Sequence, residues 1–82
     1  SISVFPTTSN GLFTFNLSKT FTDNIAVTAY SLNGEKVSEE KTIKSNTATT
    51  TLDFTNLSSG LYQLRIGNAK DGYTVKPVII NK

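Results

Sequence analysis

The side chains that do most enzymatic chemistry near neutral pH are missing from this chain. It has no His and no Cys, so it lacks the commonest general base, a thiol nucleophile, and the imidazole and thiolate ligands of most zinc sites. Glu39 and Glu40 are adjacent; on a strand they point to opposite faces and cannot share a proton. Asp71-Gly72 looks like a fragment of a calcium loop, but the spaced Asp/Asn ligands and closing Glu of that motif are absent, and a turn is expected there. Asn16-Leu17-Ser18 and Asn56-Leu57-Ser58 match the N-glycosylation triplet, a pattern common by chance. Read this way, the chain is not an enzyme, and no metal ligand set or cofactor motif is expected.

Eight basic residues against six acidic ones leave a net charge of +2. That is too small and too scattered to form a nucleic-acid footprint. No run of about 18 apolar residues could cross a bilayer as a helix, so no direct membrane insertion is expected. The opening Ser-Ile-Ser-Val-Phe-Pro lacks a basic region followed by an apolar core, so any export signal is expected on a longer precursor. With 82 residues, one domain is expected over residues 1–82.

The elements that position these residues are strands. Thr and Ser supply 22 residues, 13 of them Thr, and β-branched Thr suits a pleated, half-buried surface. No window carries an apolar stripe of helical period, whereas period-two alternation recurs. Ile2 and Val4 open a short strand that Pro6 ends. Phe13, Phe15 and Leu17 share one face, as do Ile25, Val27 and Ala29. Val37–Lys44 is polar and charged, the look of an edge strand. Leu52 and Phe54 alternate with Thr51 and Asp53, and Tyr62, Leu64 and Ile66 with Leu61, Gln63 and Arg65. A last stretch runs from Tyr73 to Asn81. Asn10-Gly11 and Asn33-Gly34 suit tight hairpin turns, and Ser58–Gly60 and Asn68–Gly72 are polar, glycine-containing connections. The count and spacing predict an all-β fold, a seven-stranded antiparallel immunoglobulin-like β-sandwich.

The last strand carries apolar residues on both faces: Val75, Pro77 and Ile79 on one, Val78 and Ile80 on the other. Two readings fit. A bulge near Pro77 could flip the parity and bury both sets. Alternatively one set stays displayed for a receptor to grip.

Four stretches in fixed order carry a family resemblance: Val4-Phe5-Pro6 followed by Asn10-Gly11; Val27 to Val37 with Asn33-Gly34 inside it; Leu57-Ser58-Ser59-Gly60-Leu61-Tyr62; and Lys76 to Lys82. In order and spacing the chain resembles the type A C-terminal sorting domain of cargo exported by the type IX secretion system of Bacteroidota. Thr8 stands where that family usually has a second proline, and Glu35, followed by Lys36, where a basic residue often follows the hairpin glycine. The resemblance implies a non-catalytic secretion signal at the end of a larger secreted protein, covalently fused to an upstream cargo domain. It further implies passage through the periplasm to the cell surface or medium, recognition by an outer-membrane translocon or its shuttle barrel, and removal by a surface sortase-like peptidase. On that basis Lys76, Val78, Ile79, Ile80, Asn81 and Lys82 are the candidate recognition residues. Pro6, Gly11, Gly34, Gly60 and Tyr62 are motif positions whose role is mainly structural. Removing Val78–Lys82 is then expected to abolish export while leaving most of the sandwich folded.

Two rival readings remain at this level. A carbohydrate-binding or adhesive β-sandwich module on a secreted enzyme needs exposed aromatic platforms, and with no Trp in the chain only Tyr30 and Tyr73 look free. A passive spacer between domains predicts a natural chain that continues past Lys82.

Overall fold

The alternation of apolar residues builds eight strands in a computed structural model that describes residues 2–18 and 20–82. They are β1 (Ile2–Phe5), β2 (Thr8–Ser9), β3 (Leu12–Leu17), β4 (Ile25–Ser31), β5 (Lys41–Ile43), β6 (Thr49–Asp53), β7 (Gly60–Asn68) and β8 (Gly72–Ile80). No helix occurs among the described residues. The strands form two sheets, one of three strands in the order β1-β3-β6 and one of five in the order β2-β8-β7-β4-β5.

The all-β, two-layer expectation holds, but the seven-stranded, wholly antiparallel immunoglobulin-like arrangement needs correction. The added strand, β2, has two residues and pairs in parallel with the end of β8, Thr8 opposite Ile79 and Ser9 opposite Ile80. Only Lys41–Ile43 of the predicted edge strand Val37–Lys44 is regular. Upstream, the chain makes a single bridge between Lys36 and Tyr30. There the Ser38 hydroxyl, at 2.9 Å, accepts the Ala29 amide that a longer strand would have bonded through its backbone.

Each alternating run buries the face its sequence marks. Phe13, Phe15 and Leu17 from β3 meet Ile25, Val27, Ala29, Leu64 and Ile66 from the larger sheet in one continuous core. Loop residues Phe21, Phe54 and Leu57 close its ends. The Phe13 and Phe54 rings lie tilted, with centroids 6.4 Å apart, a geometry that adds attraction beyond burial alone.

The two Asn-Gly pairs behave differently. Asn33-Gly34 does form a tight turn, in which the Gly34 amide donates to Ser31 O and the Ser31 amide to Glu35 O. Asn10-Gly11 is not a hairpin: it carries the chain from β2 in one sheet to β3 in the other. Gly11 sits at φ +126°, and a Cβ there would lie 2.6 Å from Thr55 Cα. Its carbonyl accepts the Phe54 amide at 2.8 Å, so backbone meets backbone where no side chain fits.

Candidate functional site

The C-terminal strand is positioned by its pairing with β7. The register runs without interruption from Gly60 opposite Ile80 to Asn68 opposite Gly72. No residue is inserted at Pro77, which lies opposite Gln63, so the bulge that would have buried both apolar sets is absent. Parity alone therefore decides burial. Val78 and Ile80 are each 2% exposed in the core, whereas Val75 is 53% and Ile79 41% exposed on the outer face.

Pro77 fits this ladder because its nitrogen faces away from β7. The Ile79 amide donates to Thr7 O at 2.7 Å and the Asn81 amide to Ser9 O at 2.8 Å. By the alternation of a strand, the nitrogen of residue 77 points the same way, just short of β2. The proline thus costs the β7–β8 ladder no hydrogen bond.

The tail is not a loose handle. Thr7 to Ser9 flank it on one side and β7 on the other. Beyond the strand, the Lys82 amide donates to Ser59 Oγ at 3.0 Å and the Lys82 ammonium donates to Thr55 O. The six predicted recognition residues therefore divide. Ile79, Asn81 and Lys82 are exposed, Lys76 is half-buried beside Ile2 at the seam between the sheets, and Val78 and Ile80 are core. The expectation that losing Val78–Lys82 leaves most of the sandwich folded runs against this packing, since Val78 and Ile80 belong to the core. Burying two such side chains is worth about 3–6 kcal/mol, which rivals the roughly 4–12 kcal/mol of net stability expected for a domain of this size.

The motif positions differ in what the fold requires of them. Pro6 follows a cis peptide bond after Phe5, where the chain leaves β1 for β2. Tyr62 packs half-buried against the core, and its hydroxyl donates to Ser58 O at 2.7 Å. Gly34 has φ +85° with open space around it. Gly60 has no such constraint: a Cβ there would meet only the Tyr62 ring, at ordinary contact distance from 3.6 Å.

Sequence reading passed over Gly67, the glycine with the tightest constraint. It lies opposite Tyr73 at φ +151°, and a Cβ would come within 2.1 Å of Gly72 O. Its neighbour Asn68 is buried and ties the β7–β8 turn together. The Asn68 amide group donates to Asp23 O (3.2 Å) and to the Asp71 carboxylate (3.0 Å), and its oxygen accepts the Lys70 and Asp71 amides. Asp71 also accepts the amide and hydroxyl of Thr22, each at 3.0 Å. The polar run Asn68–Gly72 signalled a turn; that Asn68 would reach across to the loop before β4 has no local signal.

At the opposite sheet, the Thr55 hydroxyl (2.5 Å) and then its amide (2.8 Å) donate to Asp53 and hold its carboxyl below the ordinary carboxylate range. The Arg65 guanidinium lies over the Tyr73 ring, 3.8 Å from its centroid, which occupies one face of a ring the sugar-binding reading requires to be open. The family described as secretion system C-terminal sorting domain matches residues 3–81. No curated protein matches the chain.

Proposed function

Because the chain belongs to the C-terminal sorting domains of the type IX secretion system, we propose that it works as a folded address whose C-terminal strand is read by the outer-membrane translocon or its shuttle barrel. The cargo fused upstream crosses the periplasm, reaches the cell surface or medium, and is freed from the domain by a sortase-like peptidase. The domain contributes recognition and no catalytic step.

The observation that carries this reading is the uninterrupted β7–β8 register. It divides the labour within the tail: Val78 and Ile80 anchor the strand in the core, while Ile79, Asn81 and Lys82 present their side chains outward. Lys76, at the seam, is the upstream limit of the readable segment. A rigid strand needs little further ordering when captured, which favours binding.

The test is to fuse residues 1–82 behind a periplasm-competent reporter in a bacterium that carries a type IX system. Reporter at the surface or in the medium is the expected result. Reporter retained in the periplasm defeats the proposal.

A further inference from the structure

The two sheets present different outer surfaces. On the three-stranded sheet most outward positions carry hydroxyls or amides, Thr14 bonding Thr51 at 3.1 Å and Thr49 bonding Asn16 at 3.4 Å, while Phe5 and Leu12 are exposed at one end, Leu12 opposite the acidic Asp53. On the five-stranded sheet the outward positions of β4, β7 and β8 carry no Asp, Glu or Lys. Leu61, Tyr73, Val75 and Ile79 are each between 41% and 53% exposed there. Leu61 stands directly opposite Ile79, and Val75 opposite Arg65. Aromatic and Arg enrichment with depletion of Lys, Glu and Asp distinguishes interface cores from ordinary surface.

Arg65 is the one charge at those positions. Its guanidinium rests on Tyr73 at 3.8 Å and makes no ion pair with a described residue. Stacking fixes a guanidinium while leaving the in-plane N–H edge free, and that edge matches a carboxylate in two parallel hydrogen bonds. We infer that this face is a docking surface for an apolar protein surface carrying a carboxylate opposite Arg65, supplied by the outer-membrane machinery. A second copy of the chain fits less well, since an isologous contact would add another Arg65 and no acidic partner. The inference rests on the sorting reading above and extends it: recognition spreads from Ile79 across Leu61, Val75 and the Arg65–Tyr73 stack.

The test uses the reporter fusion in exporting cells, with benzophenone side chains introduced at Leu61 or Val75 on this face and at Thr14 or Thr51 on the other. Crosslinks from positions 61 and 75 to a type IX outer-membrane component, with none from 14 and 51, are expected. Arg65→Glu should lower surface delivery at least tenfold and Arg65→Lys by less, with both purified variants melting within a few degrees of the parent. Equal crosslinking from both faces overturns the inference, as does undiminished delivery of Arg65→Glu. So do crosslinks only between copies, or binding of the purified domain to phosphatidylethanolamine–phosphatidylglycerol vesicles that is lost in Arg65→Glu. Retention of the unaltered fusion in the periplasm defeats the sorting reading itself, so the two failures are separable.

Discussion

Ile79 and Ile80 are chemically identical neighbours that the β7–β8 register sends to opposite faces, so exchanging each for Ala separates anchoring from display. Ile80 is 2% exposed. Removing its outer carbons forfeits about 0.8 kcal/mol per buried methylene, and the residual cavity brings the cost of Ile80→Ala to about 3 kcal/mol within a usual range of about 2–5. For a domain of this size that corresponds to a fall of about 12–24 °C in Tm. Ile79 is 41% exposed and touches the sheet chiefly through its cross-strand partner Leu61, so Ile79→Ala should cost less than about 1 kcal/mol. Urea denaturation followed by circular dichroism measures both. The export assay then separates the roles: Ile79→Ala should lower delivery while staying folded, and Ile80→Ala should lower it only in step with unfolding. Equal destabilisation, or a larger effect at Ile79, would refute the register on which the argument rests.

Four further substitutions have outcomes set by the geometry. Gly67→Ala should cost about 3 kcal/mol or more, because its Cβ meets the Gly72 carbonyl and the backbone cannot yield. Gly60→Ala, with only ordinary contacts, should stay within about 0.5 kcal/mol of the parent in the same denaturation experiment; equal penalties at the two sites would contradict the assignment. Asn68→Ala should lose about 2–3 kcal/mol, since it removes the acceptor of the Lys70 and Asp71 amides and the link to Asp23 O, and amide hydrogen exchange should quicken around the β7–β8 turn. Asp53 has a lowered folded pKa owing first to the Thr55 hydroxyl and then to its amide. Its stabilisation is therefore present above the unfolded value of about 3.9 and is lost as pH falls through the lower folded value. Asp53→Asn should flatten the drop in urea midpoint between about pH 5 and pH 2; an unchanged slope would rule that contribution out.

Much of this fold is legible because period-two alternation is a local signal. Phe13-Phe15-Leu17, Ile25-Val27-Ala29 and Leu64-Ile66 declare their buried faces before any partner is known, and all reach the core. What is hidden depends on distant chain. β2 is two residues long and exists only because the far end of the chain returns beside it. Asn10-Gly11 and Asn33-Gly34 are the same dipeptide, yet only contact with Phe54 and Thr55 reveals that Gly11 serves a crossing between sheets. Gly60 stood out through its motif, whereas Gly67, between Ile66 and Asn68, gave no sign that a neighbouring carbonyl would press on it. The candidate site divides in the same way. That the tail is apolar on both faces is plain in the sequence, but which face shows is fixed by pairing with β7. The Arg65–Tyr73 stack needs that pairing too, since those residues lie diagonally across it.

Ile2 lines one cavity with Phe21 and Gly72, while Lys82 is tied to Thr55 and Ser59 beyond Ile80. Gly72 and Ile80 are separated by the length of a nine-residue strand, about 27 Å, in a body whose longest dimension is 34 Å. Ile2 and Lys82 thus lie at opposite poles. Tension between them draws β8 lengthwise past β7, a shearing load that all nine register pairs share at once, instead of peeling the ladder open bond by bond. A tether attached before β1 and a grip on the tail would load both the four-pair β1–β3 ladder and the nine-pair β7–β8 ladder along their strands.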